Sequence, residues 1–224
     1  MLPPAPLRPP ASKPAPKLSR TDQITRYIQQ YDGGDCFFIS PVAVSAGAAQ
    51  IEGFGAAVEP FQALDDAFKQ ATGFEADIGL RQIAAAQCPA VAFLRRLQDR
   101  AAAPRLKIGE TNLRPGQSLT GTVEGYGKRH VELLLVSDSG SVQNVSSTLK
   151  PAAQGKAFAL RAQRKAGNNP QPQLVIAVAS ARPLASLKLG HSVPAEQLFP
   201  QVVAEAEQTG QAVGAEVKYF KLER

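Results

Sequence analysis

Cys36 and Cys88, His130 and His191, and the adjacent Asp65 and Asp66 are the side chains of this chain best suited by type to do chemistry. Three readings of the cysteines stand side by side. A disulfide would close a loop of about 50 residues, worth roughly 4 kcal/mol in a chain-entropy model, and would place the chain in an oxidising compartment. Two separate buried thiols would pack as small hydrophobes. Cys36 acting as a nucleophile would need His130 or His191 as its base. Against this last reading, the Phe37-Phe38-Ile39 run beside Cys36 raises a thiol pKa, and neither histidine sits in a recognisable motif. The bridge is the expectation.

The remaining signals are weaker. His130 flanks a strand and His191 lies in Gly190-His191-Ser192, so both read as solvent-facing or locally hydrogen-bonded. Two histidines and two cysteines without paired spacing do not make a zinc site, and neither a metal nor a cofactor is expected. Gly53-Phe54-Gly55-Ala56-Ala57-Val58 follows a strand and precedes a helix, as a dinucleotide fingerprint does. It lacks the third glycine and the acidic residue at the end of a following parallel strand, and reads as a tight strand-to-helix turn. Asp65 and Asp66 are neighbours on a helix and point in different directions, which argues against a cooperating acid pair. Asn144-Val145-Ser146 fits a glycosylation sequon, a pattern short enough to arise by chance. No catalytic residue is assigned.

The net charge of +6 invites a nucleic-acid reading, but its location argues otherwise. Arg8, Lys13, Lys17 and Arg20 precede the first acidic residue, and the rest of the chain is nearly balanced. Arg95-Arg96 and Arg161 with Arg164-Lys165 are short clusters that read as solvated charge rather than a phosphate groove.

Positioning these residues falls to two kinds of element. Residues 2 to 18 hold seven prolines and read as an extended spacer, residues 1–19 forming a linker with something expected upstream. Residues 20–100 then follow the order α-β-β-α-β-α. The helices are expected at Thr21 to Tyr31, capped by Ser19 or Thr21 and stopped at Gly33-Gly34, at Glu59 to Thr72, and from Cys88-Pro89 onward. The strands are expected at Asp35 to Ile39, Ala43 to Glu52 and Ala76 to Ile83. The stretch 99 to 105 reads as a seam.

Residues 105–224 change to short strands punctuated by Gly, Pro and Asn, which is the pattern of a β-sandwich. The strand from Arg129, ending at Asp138-Ser139-Gly140, is apolar on both faces and should be covered on both sides. Leu174 to Val178 reads as a central strand, Pro194 to Thr209 as a helix packed on a sheet or its end, and Val217 to Phe220 as the last strand. The fold class is α+β: a small layer domain followed by a β-sandwich with one packed C-terminal helix. No apolar run reaches the ~18 residues of a membrane span, and no signal peptide is visible.

Several phrases carry a resemblance: YDGGDCFF at 31 to 38, IEGFG at 51 to 55, AAQCPAVAFL at 85 to 94, LRPGQSLTGTVEGYG, HVELLLVSDSGSVQNVSS, QPQLVIAVASARPL and the terminal VKYFKLE. Together they resemble the non-catalytic C-terminal region that follows a proline-rich linker and a membrane helix in bacterial serine/threonine protein kinases. Related segments occur behind caspase-like peptidase domains. The resemblance implies a periplasmic module whose membrane anchor lies upstream. Its partner would be a protein or cell-envelope component rather than nucleic acid, and the module itself would not insert into the membrane. None of the kinase's phosphate-loop, catalytic-loop or metal-binding motifs occurs here. A sensor that biases the attached kinase and an envelope scaffold without a signalling role are the two functional expectations.

Overall fold

The computed structural model describes residues 18–97, 103–161 and 170–223. The body of the proline-rich segment, part of the seam and the Arg164-Lys165 pair lie outside the described residues. Helix α1 (Arg20–Gln30) opens on Ser19, whose hydroxyl accepts the Asp22 amide at 3.1 Å. It ends at Tyr31, already extended, two residues before the glycines. Strands β1 (Phe37–Val44) and β2 (Ala49–Gly55) form an antiparallel hairpin. The second strand starts six residues later than the sequence suggested, because Ser45 and Ala48 close the turn through backbone and hydroxyl bonds.

Helix α2 (Glu59–Thr72) sets Pro60 in its first turn and buries Phe61, Leu64 and Phe68. Gly73, at φ 83, supplies the left-handed residue that ends it. Strand β3 (Asp77–Gln82) runs parallel to β2, so the first sheet has the order β1-β2-β3. Helix α3 (Cys88–Arg96) follows a turn of 3-10 helix at Ala85–Gln87.

The sandwich is built from β4 (Arg105–Ile108), β5 (Asn112–Leu113), β6 (Ser118–Glu124), β7 (His130–Val136), β8 (Ser141–Asn144), β9 (Lys150–Ala152), β10 (Gly155–Arg161), β11 (Gln171–Ser180), β12 (Val193–Pro194), helix α4 (Ala195–Thr209) and β13 (Val213–Leu222). One sheet has the order β4-β6-β10-β9 and the other β12-β8-β7-β11-β13-β5. Val131, Leu133, Val175 and Ala177 face the four-stranded sheet, whereas Leu134, Val136, Ile176 and Val178 face the helices. The central strands are therefore covered on both sides, which is why every residue from Gln173 to Ser180 is buried.

The helix-side core does not stop at the seam. Phe38 and Phe54 of the first sheet and Val91, Phe93 and Leu94 of α3 share it with Leu198, Phe199 and Val202 of α4. Phe93 stacks on Phe199 with ring centroids 4.8 Å apart. Gln87, fully buried, donates to the carbonyls of Val136 and Pro172 at 3.1 Å each, while its oxygen accepts the Ala84 amide. The chain between the first sheet and α3 is thereby fastened to β7 and β11. Gly140, at φ 75, lets the β7-β8 turn lie against the Ala86 carbonyl, where any Cβ would collide.

Candidate functional site

Cys36 and Cys88 form a disulfide, with Cα atoms 4.7 Å apart, that ties the start of β1 to the first residue of α3. Both cysteine sulfurs are consumed by this bond, so a Cys36 nucleophile served by His130 or His191 is not formed. Cys36 takes φ 55, the only positive value at a non-glycine among the described residues. The bridge holds a backbone shape that an L-residue rarely adopts.

The glycine motif is strand at its start and not a turn throughout. Gly53 and Gly55 lie inside β2 rather than in a turn, and a Cβ on either would overlap the Phe61 ring of α2. They are small so that an aromatic residue can sit flat on the strand. Asp65 and Asp66 lie side by side on α2, and no group of three His, Cys, Asp or Glu side chains able to hold a metal occurs among the described residues. Arg95 bonds to Asp32 at 3.1 Å and to the Gly34 carbonyl, fastening the loop ahead of Cys36.

The densest polar cluster surrounds Glu132, a carboxylate in the middle of an apolar strand. His130 Nε2 lies 2.6 Å from Oε1, and the Ser146 hydroxyl and Asn144 amide donate to Oε2 at 2.6 and 2.8 Å. Burial pushes this carboxyl up, but the hydrogen bonds from Ser146, Asn144 and His130 outweigh it and hold the pKa below the usual glutamate range. A serine, a histidine and a carboxylate are together, yet the carboxylate is in the centre. Ser146 donates to Glu132 and accepts the Leu133 amide, so the histidine does not stand between serine and carboxylate as it does in a Ser-His-acid triad. The network locks β7 to β8. Asn144 also donates to the Leu187 carbonyl at 2.6 Å, so the nitrogen a sequon would offer for glycosylation is already engaged. His191 is exposed in the loop before β12.

A cleft of about 410 Å³ opens where the first sheet meets β13, walled by Phe38, Ser40, Phe54 and Val217. Glu52, only 15% exposed at its side chain, spans the junction: Arg81 of β3 donates to it at 3.0 Å, and Lys218 of β13 approaches at 3.5 Å. Sequence periodicity missed this pairing, since its partners are far apart in the chain. The one available signal was a carboxylate set in the otherwise uncharged IEGFG.

Strand β13 presents an open edge to this cleft. Lys221 and Glu223 donate to Thr111 and Leu113 on the β5 side. Residues two apart in a strand aim their backbone groups the same way, so Ala215, Val217 and Tyr219 turn theirs to that edge as well. The short β5 pairs only Lys221 and Leu222, and no other described strand pairs β13 there. A second hollow of about 370 Å³, between α3 and α4, is mainly apolar and reaches β13 only at its first residue, Val213. Among the described residues, no helix is long and apolar enough to cross a membrane. No protein-family model and no curated protein matches this chain.

Proposed function

We propose that this chain is a recognition region acting outside the cytoplasm: the non-catalytic periplasmic part of a membrane-anchored bacterial serine/threonine kinase, which captures an extended polypeptide of the cell envelope. The observation that carries the reading is the open edge of β13 beside the cleft. Backbone donors and acceptors there match an incoming strand, and Glu52, Glu216 and Lys218 would select its side chains. The disulfide suits an oxidising compartment. The likeness of the YDGGDCFF, HVELLLVSDSGSVQNVSS and VKYFKLE phrases to such kinase regions supplies the cellular setting. A partner would bias the kinase only by binding its two states unequally.

A photo-crosslinking side chain at Glu216 of the intact membrane protein tests this. The expected result is an adduct with an envelope polypeptide, reduced by Ala215→Pro, which removes an edge-facing N–H without touching the β11 ladder. Adducts equally abundant from Lys150, exposed on the edge strand β9 of the other sheet, would refute the site. Kinase activity unchanged by deleting residues 20–223 would refute the signalling role and leave the scaffold reading, in which partners persist when the kinase is inactive.

A further inference from the structure

The two edges of the first sheet are built differently. On β1, Pro41 lacks an N–H at a position facing outward, and the register with β2 shifts between Pro41 and Ala43. Proline and a bulge are devices that keep an edge from pairing. Strand β3 has neither: its register with β2 is unbroken from Asp77 to Gln82, and it contains no proline and no lysine.

Ile83 donates to Gly55, so Gly79 and Arg81, of the same parity, face β2, while Ile78, Leu80 and Gln82 aim their backbone groups away from the sheet. No described strand covers them. We propose that this edge pairs antiparallel with β3 of a second copy of the chain, in the register centred on Gly79. The inference is independent of the function proposed above.

The argument for a second copy is self-complementarity. Centring on Gly79 sets Ile78 opposite Leu80, both outward-facing, so that four backbone hydrogen bonds form. It also sets Asp77 opposite Arg81 twice, at the positions where facing side chains approach closest. Arg81 uses its Nε for Glu52. Centring on Leu80 instead opposes Arg81 to Gly79 and loses both charge pairs. Centring on Ile78 opposes it to Glu75, which lies outside β3 and is bonded to Lys69. The product is one six-stranded sheet, β1-β2-β3 joined to its symmetry mate, with the blocked β1 edge at each end. Assembly therefore closes at two copies. Pairing over five residues is a small interface, so association is concentration-dependent.

Gly79→Cys tests the register. A Cβ there meets nothing nearer than the Ile51 carbonyl at 3.8 Å, and both native cysteines are already bonded to each other. Mild oxidation should convert this variant to a reducible covalent dimer. Gln82→Cys, whose two copies would stand about 20 Å apart in the same pairing, should stay monomeric. In sedimentation, Asp77→Lys or Arg81→Glu alone should weaken the dimer about tenfold by opposing like charges, and an equimolar mixture of the two should associate again. Equal crosslinking of the two cysteine variants, or an Asp77→Lys chain that melts like the wild type and still dimerises as tightly, would overturn the proposal.

Discussion

One face of the first sheet rests on a core of nine buried apolar residues shared with α1 and α2, the other gives only Phe38 and Phe54 to the helix-side core, and no residue of β3 is buried. The six-stranded sheet has one face against another sheet, through a separate core of thirteen such residues, and the other against two helices. The disulfide ties the first sheet to α3, one of the helices on the six-stranded sheet, and the carboxylate network around Glu132 lies within the second region. A covalent bond makes up for sparse burial by restricting the unfolded chain, whereas a sheet covered on both sides tolerates a buried charge, provided that hydrogen bonds satisfy it.

Breaking the bridge is the strongest test of this contrast. Cys36→Ser with Cys88→Ser should cost about 4 kcal/mol of stability in denaturant melts. Hydrogen exchange should locate the loss in α1, β1 and β2, with the β11 amides still protected. If β11 opens to the same extent, the two regions share one stability and the contrast fails. Ile176→Ala, at the centre of the doubly covered sheet, should cost about 3 kcal/mol and lower protection throughout the sandwich.

Glu132→Ala should cost about 2 kcal/mol, since Asn144 and Ser146 lose their common acceptor. Its pH dependence follows from the lowered pKa. The folded state holds this proton more weakly than the unfolded chain, so the stabilisation is complete above the ordinary glutamate pKa of about 4.3 and is lost as pH falls through the lower folded value. In Glu132→Gln that part of the acid loss should vanish from melts taken across this range. The smallest effect belongs to the junction: Lys218→Met should change stability by less than about 1 kcal/mol, and added salt should shrink the difference further.

Elements whose signals are local were legible in the sequence. Pro60, the Phe61-Leu64-Phe68 stripe and Gly73 bound α2 at Glu59–Thr72, and the unbroken apolar run at Leu174 marked β11 as central. The cysteine pair was readable as a bridge from count and setting. Strands β5, β9 and β12, of two or three residues each, were not, because partners rather than periodicity define them. The purpose of Gly53 and Gly55 was hidden for the same reason: it depends on an aromatic ring that arrives from the next helix. Ser146, Asn144 and Glu132 are close in sequence, but only the hairpin shows that the asparagine already has a partner.

Gln87 and the Phe93-Phe199 stack constrain the gene as well as the molecule. A recombination breakpoint placed just after α3 would separate Phe93 from the ring it rests on and leave the Val136 and Pro172 carbonyls without their donor. Neither fragment would inherit a complete interior. Shuffling of the coding sequence is therefore confined to exchanges that carry both halves together, however much the chain resembles two interchangeable parts.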